Sequence, residues 1–252
     1  MEGKRIKIIK AVVCVLFWLA VWEILALIVS QSVVLPTPLA TVRRLFELLG
    51  SGAFYLACLN SVLRVFLGFA IGVAAGTLLS VLAQAGGEFI ISPAMSVIKS
   101  TPVASIIIVM LFFLGREQVP VIAILLIVTP ILYTNVLRGI RAVPRESAEV
   151  AQVYGLTRAQ KMKYCTIPSV MPFFSAGIKM SVGLAFKAGI AAEVLCTPKS
   201  SMGTMLWNAK TYLEGEDLFA WTLTVIVFSI IFEKLLAVAL EKMTGGRKHV
   251  RT

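Results

Sequence analysis

The chain alternates long apolar runs with short polar breaks, and most of its basic residues sit in the breaks. The head MEGKRIKIIK precedes an apolar run from Ala11 to Val29. A signal peptide has the same form, but this run exceeds the usual apolar region and no small-x-small cleavage site closes it. It reads as an uncleaved first span. Next comes LPTPLATVRRLFELL, Leu35 to Leu49, where Thr37 followed by Pro38 predicts a capped helix start. Leu39, Val42, Phe46 and Leu49 share one face, away from Arg43, Arg44 and Glu47. That pattern predicts a short amphipathic helix on the membrane surface.

A second span runs from about Leu59 to Ala83 and carries Gly68, Gly72, Gly76 and Ser80 at i, i+4 spacing. Such a row lets a neighbouring helix approach closely, and predicts a packing seam. The third, Phe89 to Leu114, is broken at Pro93 and at Lys99-Ser100-Thr101-Pro102. Broken backbone at membrane depth needs protein or a watery cavity beside it. The fourth, Val119 to Leu137, contains Pro120 and Pro130. A polar segment from Arg138 to Pro168 follows, then a fifth stretch, Val170 to Leu195, holding Lys179, Lys187 and Glu193. A loop from Cys196 to Asp217 leads to the sixth span, Leu218 to Leu240, and a basic tail. The expected fold is an all-α membrane protein of about six transmembrane helices, one domain over residues 1–252.

Composition narrows the class. Of 252 residues 58% are hydrophobic and only 15% charged, and the mean hydropathy is +0.91. A soluble fold of this size cannot hide so much apolar surface, and disorder needs low hydrophobicity. Cys14, Cys58, Cys165 and Cys196 form no CxxC pair, and His249 is the one histidine, which argues against a zinc site. Cys58 and Cys196 both fall near the same membrane face, so a bridge between them stays open. The net charge of +11 punctuates apolar runs rather than forming a patch, which favours a bilayer over nucleic acid. With the N-terminus inside, fourteen of the 24 basic residues fall in inside segments and five in outside ones. The positive-inside rule then puts both termini, and the loop 138–168, in the cytoplasm.

That loop reads RAVPRESAEVAQVYGLTRAQKMKYCTIPSVMP. Pro144 opens a helix, and Glu146 lies in its first turn, where the dipole favours negative charge. Gly155 supplies a left-handed stop, and Thr157 with Gln160 forms a capping box for a second helix that should end before Pro168.

These residues resemble the permease subunit of a binding-protein-dependent ABC importer. The signature of that family is the EAA loop, which stands here as Glu149-Val150-Ala151, Gly155 and Ile167-Pro168. Val150 replaces the middle alanine, and Cys165 sits where isoleucine is usual. Trp22-Glu23, LPTPLATVRRL, the LRVFLGF segment from Leu63 and Ala192-Glu193-Val194 are similar to the nitrate, sulfonate and taurine branch. The resemblance implies a type I importer permease (MetI-like) fold in a bacterial inner membrane. It implies a second permease copy, most simply an identical one, two ABC ATPase subunits and an extracytoplasmic solute-binding protein. It also implies that Glu149, Ala151, Gly155, Ile167 and Pro168 form a coupling helix that docks on the ATPase. ATP would be bound by that partner and no cofactor by this chain, which has no GxxxxGK[ST] phosphate loop.

Lys187, Lys179 and Glu193 are candidate pathway residues, because an ionisable group within a span usually faces a cavity or a partner. A cationic pathway suits an anionic solute. The plainer alternatives for Lys187 are a structural pair with Glu193 or Glu23, or snorkelling to an interface. Glu149 is open to two readings as well, a coupling contact or a solvated helix charge. Arg64 and Lys99 read as structural. An ion-gradient-driven secondary transporter is the main alternative function; it accounts for the buried charges but not for the EAA-type loop.

Overall fold

The computed structural model describes residues 2–144, 146–147, 149 and 153–243. Among them there are only helices. In order these are α1 (Glu2–Val29), α2 (Pro38–Leu49), α3 (Gly52–Leu82), α4 (Glu88–Ser100), α5 (Val103–Phe113) and α6 (Val119–Arg141). Beyond the loop lie α7 (Arg158–Lys161), α8 (Ile167–Cys196), α9 (Met202–Thr211) and α10 (Gly215–Met243). Among the described residues, four stretches are long and apolar enough to cross a membrane: Val12–Val29, Gly52–Ser100, Val119–Arg141 and Gly215–Lys242. The third run does not break at Pro93, which lies inside α4 and removes one ladder bond without ending the helix; it breaks at Thr101 and Pro102, extended between α4 and the shorter α5. The 30-residue α8 carries Lys179, Lys187 and Glu193.

The core is built on α6, which packs against both α3 and α8, while α3 and α8 also touch where Gly189 meets Val65. The small residues of α3 explain the first contact. A Cβ on Gly68 would lie 2.6 Å from the Val121 carbonyl oxygen and 2.8 Å from Ile124 Cβ. On Gly72 it would meet Val128 Cβ at 2.8 Å, and on Gly76 the Thr129 carbonyl oxygen at 2.6 Å. One turn further, the Ser80 hydroxyl donates to the Tyr133 carbonyl at 2.9 Å. The two backbones therefore approach more closely than any larger side chain allows. Ile124 and Leu132 of α6 also reach Gly189 and Gly177 of α8, whose Val182, Ala185 and Phe186 join the same cluster, and Phe232 of α10 stacks edge-on with Phe69 and obliquely with Phe186.

The peripheral helices are held by a few polar ties. Thr37 caps α2, its hydroxyl accepting from the Ala40 N–H. Thr41, Leu45 and Leu48 face the core, while Leu39, Val42, Phe46 and Leu49 remain exposed, so the apolar face read from the sequence points away from the bundle. Arg44 pairs with Asp217 at the start of α10, and that pairing raises the guanidinium pKa. The Trp22 indole N–H donates to the Pro36 carbonyl at 3.0 Å, and its ring lies against Phe219.

Two further expectations are corrected. The helix after Thr157 does not stop before Pro168. It passes through a wide π turn, Met162–Thr166, into α8, and Pro168 sits in the first turn of α8. The Ile167 N–H bonds back to the Met162 carbonyl, so the ladder has already shifted by one residue where proline lacks its donor. The segment between Cys196 and Asp217 is not a plain loop either. It folds α9, capped by Ser201, whose hydroxyl accepts from the Thr204 N–H.

If the α3–α6 approach holds the core together, Gly76→Val should destabilise the detergent-solubilised protein by about 1–3 kcal/mol, from overpacking against backbone that cannot yield. Gly52→Ala, where a Cβ meets open space, serves as the control in the same thermal unfolding measurement.

Candidate translocation pathway and coupling loop

At the end of the bundle that carries α9, three helices and two loops converge on Glu193. Its side chain is 1% exposed, yet it is fully engaged. The Ser61 hydroxyl donates to it at 2.6 Å, the Gly203 N–H at 3.2 Å and the Arg64 guanidinium at 3.3 Å. Arg64 also donates to the Lys199 carbonyl at 3.2 Å and pairs with Glu117 in the turn between α5 and α6. Burial alone would raise the Glu117 carboxyl pKa. Hydrogen bonds from the Lys199 N–H at 2.7 Å and from Arg64, with their charges, more than offset this and hold it below the ordinary range. Ser61 accepts from the Met202 N–H at 2.9 Å, and Asn60 donates to the Ser200 carbonyl at 3.0 Å. Thr197 and Ser200 both sit in the left-handed region, at φ of 47° and 45°. Non-glycine residues hold that conformation when their surroundings impose it. The network does so by fixing the short link between α8 and α9.

Glu193 is thereby separated from the lysines grouped with it on sequence grounds. Six residues of α-helix turn it about 240° from Lys187, and its cation is Arg64. Lys187 and Lys179 are exposed on α8, and neither forms an ion pair among the described residues. Lys179 lines a cavity of about 290 Å³ with Glu233 and Lys234 of α10. On the same helix, Met180 and Leu184 line an apolar cavity of about 210 Å³ beneath the α4–α5 break, with Thr101, Val103 and Pro130 opposite. All four cysteines are free thiols.

The loop presents a second kind of surface. Glu149 is helical and exposed, while Ala151 and its neighbour Val150 lie outside the described residues. Gly155 adopts φ +62°, and a Cβ there would meet nothing within 4 Å, so the glycine is required by its backbone and not by crowding. Thr157 and Gln160 form the reciprocal capping box. Just before the glycine, Val153 and Tyr154 are 84% and 78% exposed. Ile167 is exposed beside Pro168 at the start of α8, and the Cys165 thiol reaches the Ser147 carbonyl at 3.7 Å. Sequence reading passed over Val153 and Tyr154, although two bulky apolar residues in a polar loop were a signal. It also passed over the Ser61–Arg64 partnership with Glu193, for which sequence offers no signal.

Residues 68–243 match the family described as binding-protein-dependent transport system inner membrane component. The chain belongs to this family. The permease is 27% identical over 218 residues to SsuC of Bacillus subtilis (strain 168), named for aliphatic sulfonates transport, with 84% of this chain and 77% of that one covered. It is also 27% identical over 250 residues to the nitrate import permease NrtB of Synechococcus elongatus, covering 93% and 86%. Among solved structures, an amino acid ABC transporter superposes with a TM-score of 0.61 at 19% identity, over 75% of this chain and 94% of that one. The inward-facing MetNI methionine ABC transporter does so at 0.54 and 17% identity, over 82% and 96%. The permease therefore has the MetI-like fold of ABC importer permeases, as a multi-pass membrane protein.

Arg64→Met should leave the Glu193 charge buried without its cation, and cost about 3 kcal/mol or more in unfolding measurements on the purified permease. Adding Glu193→Gln, which keeps an acceptor for Ser61 and Gly203, should recover part of that loss.

Proposed function

We propose that this permease forms half of an ATP-driven import pathway for a small anionic solute, with a second copy of itself completing the route. A separate ABC ATPase drives it through the loop, and an extracytoplasmic binding protein delivers the solute. Both termini and the loop face the cytoplasm, on the balance of basic residues. The observation that carries the coupling role is the Gly155 turn. It combines a left-handed glycine with a capped helix start, and it displays Val153 and Tyr154 uncovered outside the bundle. Glu149, Ala151, Ile167 and Pro168 complete the coupling segment. Exposed apolar side chains on a polar loop are what a partner groove requires. Because the second half of the loop, from Arg158, runs through continuous helix into α8, a displacement there is delivered to the bundle rather than absorbed. ATP then acts by favouring one of two conformations of the pathway.

The anionic assignment rests on Lys179 and Lys187, cations at mid-helix on the exposed face of α8. Relatives named for aliphatic sulfonates, nitrate and bicarbonate point the same way. Glu193 supports this pathway as the anchor of its wall.

Gly155→Val should lower solute-stimulated ATPase activity of the assembled transporter severalfold with little loss of stability, because a β-branched residue resists positive φ and nothing crowds the site. Gly155→Asn should retain most of the stimulation. Normal stimulation in the valine variant would remove the loop from the coupling route. Lys187→Met should reduce uptake roughly tenfold, the scale of one charge-assisted hydrogen bond. Unchanged uptake and solute affinity would take Lys187 off the solute path.

A further inference from the structure

A groove between α4 and α6, at the loop end of the bundle, belongs to none of the sites above. It encloses about 300 Å³ and is lined by Ser92, Ser96 and Lys99 of α4 and by Tyr133, Thr134 and Arg138 of α6. The helices run antiparallel here, and the Glu88–Arg141 ion pair closes the end. At 1.5 Å per residue, Lys99 lies about 16 Å along α4 from that pair, well inside the bilayer if α4 crosses it.

The balance of donors, acceptors and charge in this groove is uneven. Glu88 is its one acidic residue and is already paired with Arg141. The Lys99 and Arg138 side chains have no hydrogen bond or ion pair among the described residues. Thr134 and Ser96 give their hydroxyl protons to the Pro130 and Ser92 carbonyls, at 2.8 Å and 3.0 Å. Tyr133 is 4% exposed and packs with Ala83, Leu79, Ile91 and Met95, so its unpartnered hydroxyl is sealed from the groove. A lysine at membrane depth without a counter-charge is costly. That cost is relieved by an occupant that carries negative charge and accepts several hydrogen bonds.

We propose that the α4–α6 groove is an oxyanion-binding site. Lys99 and Arg138 supply both the positive charge and the hydrogen-bond donors. The occupant is a sulfonate, carboxylate or phosphate-type group, provided either by a free solute anion or by the headgroup of an anionic lipid. Lys99 also lines the apolar cavity beneath the α4–α5 break, so the two cavities share this residue. The site does not require Lys187 to touch the imported solute, and binding is measured here without turnover. A failure of the pathway assignment and a failure of this site are therefore separate results.

The test uses the full permease assembled with its ATPase in nanodiscs and reads the thermal unfolding midpoint. One arm compares sulfate with chloride at matched ionic strength in phosphatidylcholine. The other compares phosphatidylglycerol with phosphatidylcholine in chloride. A saturable rise in Tm is expected in at least one arm; the sulfate arm identifies a free anion and the phosphatidylglycerol arm a headgroup. Arg138→Gln and Lys99→Gln should each weaken the response about tenfold. Tyr133→Phe should leave it nearly unchanged, and Arg138→Lys should keep most of it even if the glutamine variant folds poorly. Lys10→Gln, an exposed cation on α1, should leave it unchanged. No rise in either arm, a rise that survives both glutamine substitutions, or one that Lys10→Gln reduces equally would overturn the site.

Discussion

The permease depends first on how closely α3 can approach α6. In a bilayer, helices gain little from leaving lipid for each other, because lipid tails are as apolar as leucine. Association must come from close van der Waals contact and from hydrogen bonds between helices. Gly68, Gly72 and Gly76 leave room for the α6 backbone itself, and Ser80 adds a hydroxyl-to-carbonyl bond at the end of the row. With α6 fixed, α8 has a surface to pack on, and α10 closes over Phe69 and Phe186 through Phe232.

The two ends of the bundle are built differently, in line with what each is proposed to do. At the α9 end, Glu193 gathers Ser61, Arg64 and the Gly203 N–H, and Arg64 extends the network to Glu117 and the Lys199 carbonyl. Polar groups buried and mutually satisfied tend to hold one arrangement. At the loop end, few such ties exist among the described residues, and the helix that starts at Arg158 continues through Met162–Thr166 into α8.

Some of this was legible residue by residue. The Gly68–Ser80 row, the Thr37 cap, the Gly155 stop and the Thr157–Gln160 box are local features, each decided within four residues by backbone geometry and side-chain reach. The continuation of helix through Pro168 was not legible, since proline ordinarily marks an end and the compensating π turn leaves no composition signal. Nor was α9, a short helix of moderate polarity between two apolar runs. The grouping of Glu193 with Lys187 followed their shared helix; the helical turn then set them on different faces.

The sequence by itself determined the class of molecule. Apolar run length, the spacing of small residues and the placement of basic residues are properties of a chain in a bilayer, and they need no partner to be read. The EAA-type loop likewise named the family, because its glycine and caps act locally. Only the tertiary structure decided which charges meet. Arg64 and Glu193 lie 129 positions apart. Lys99 and Arg138 come from different helices that share one groove. Such pairings depend on helix rotation and on crossing geometry, and these are set by packing across the whole bundle rather than by any single segment.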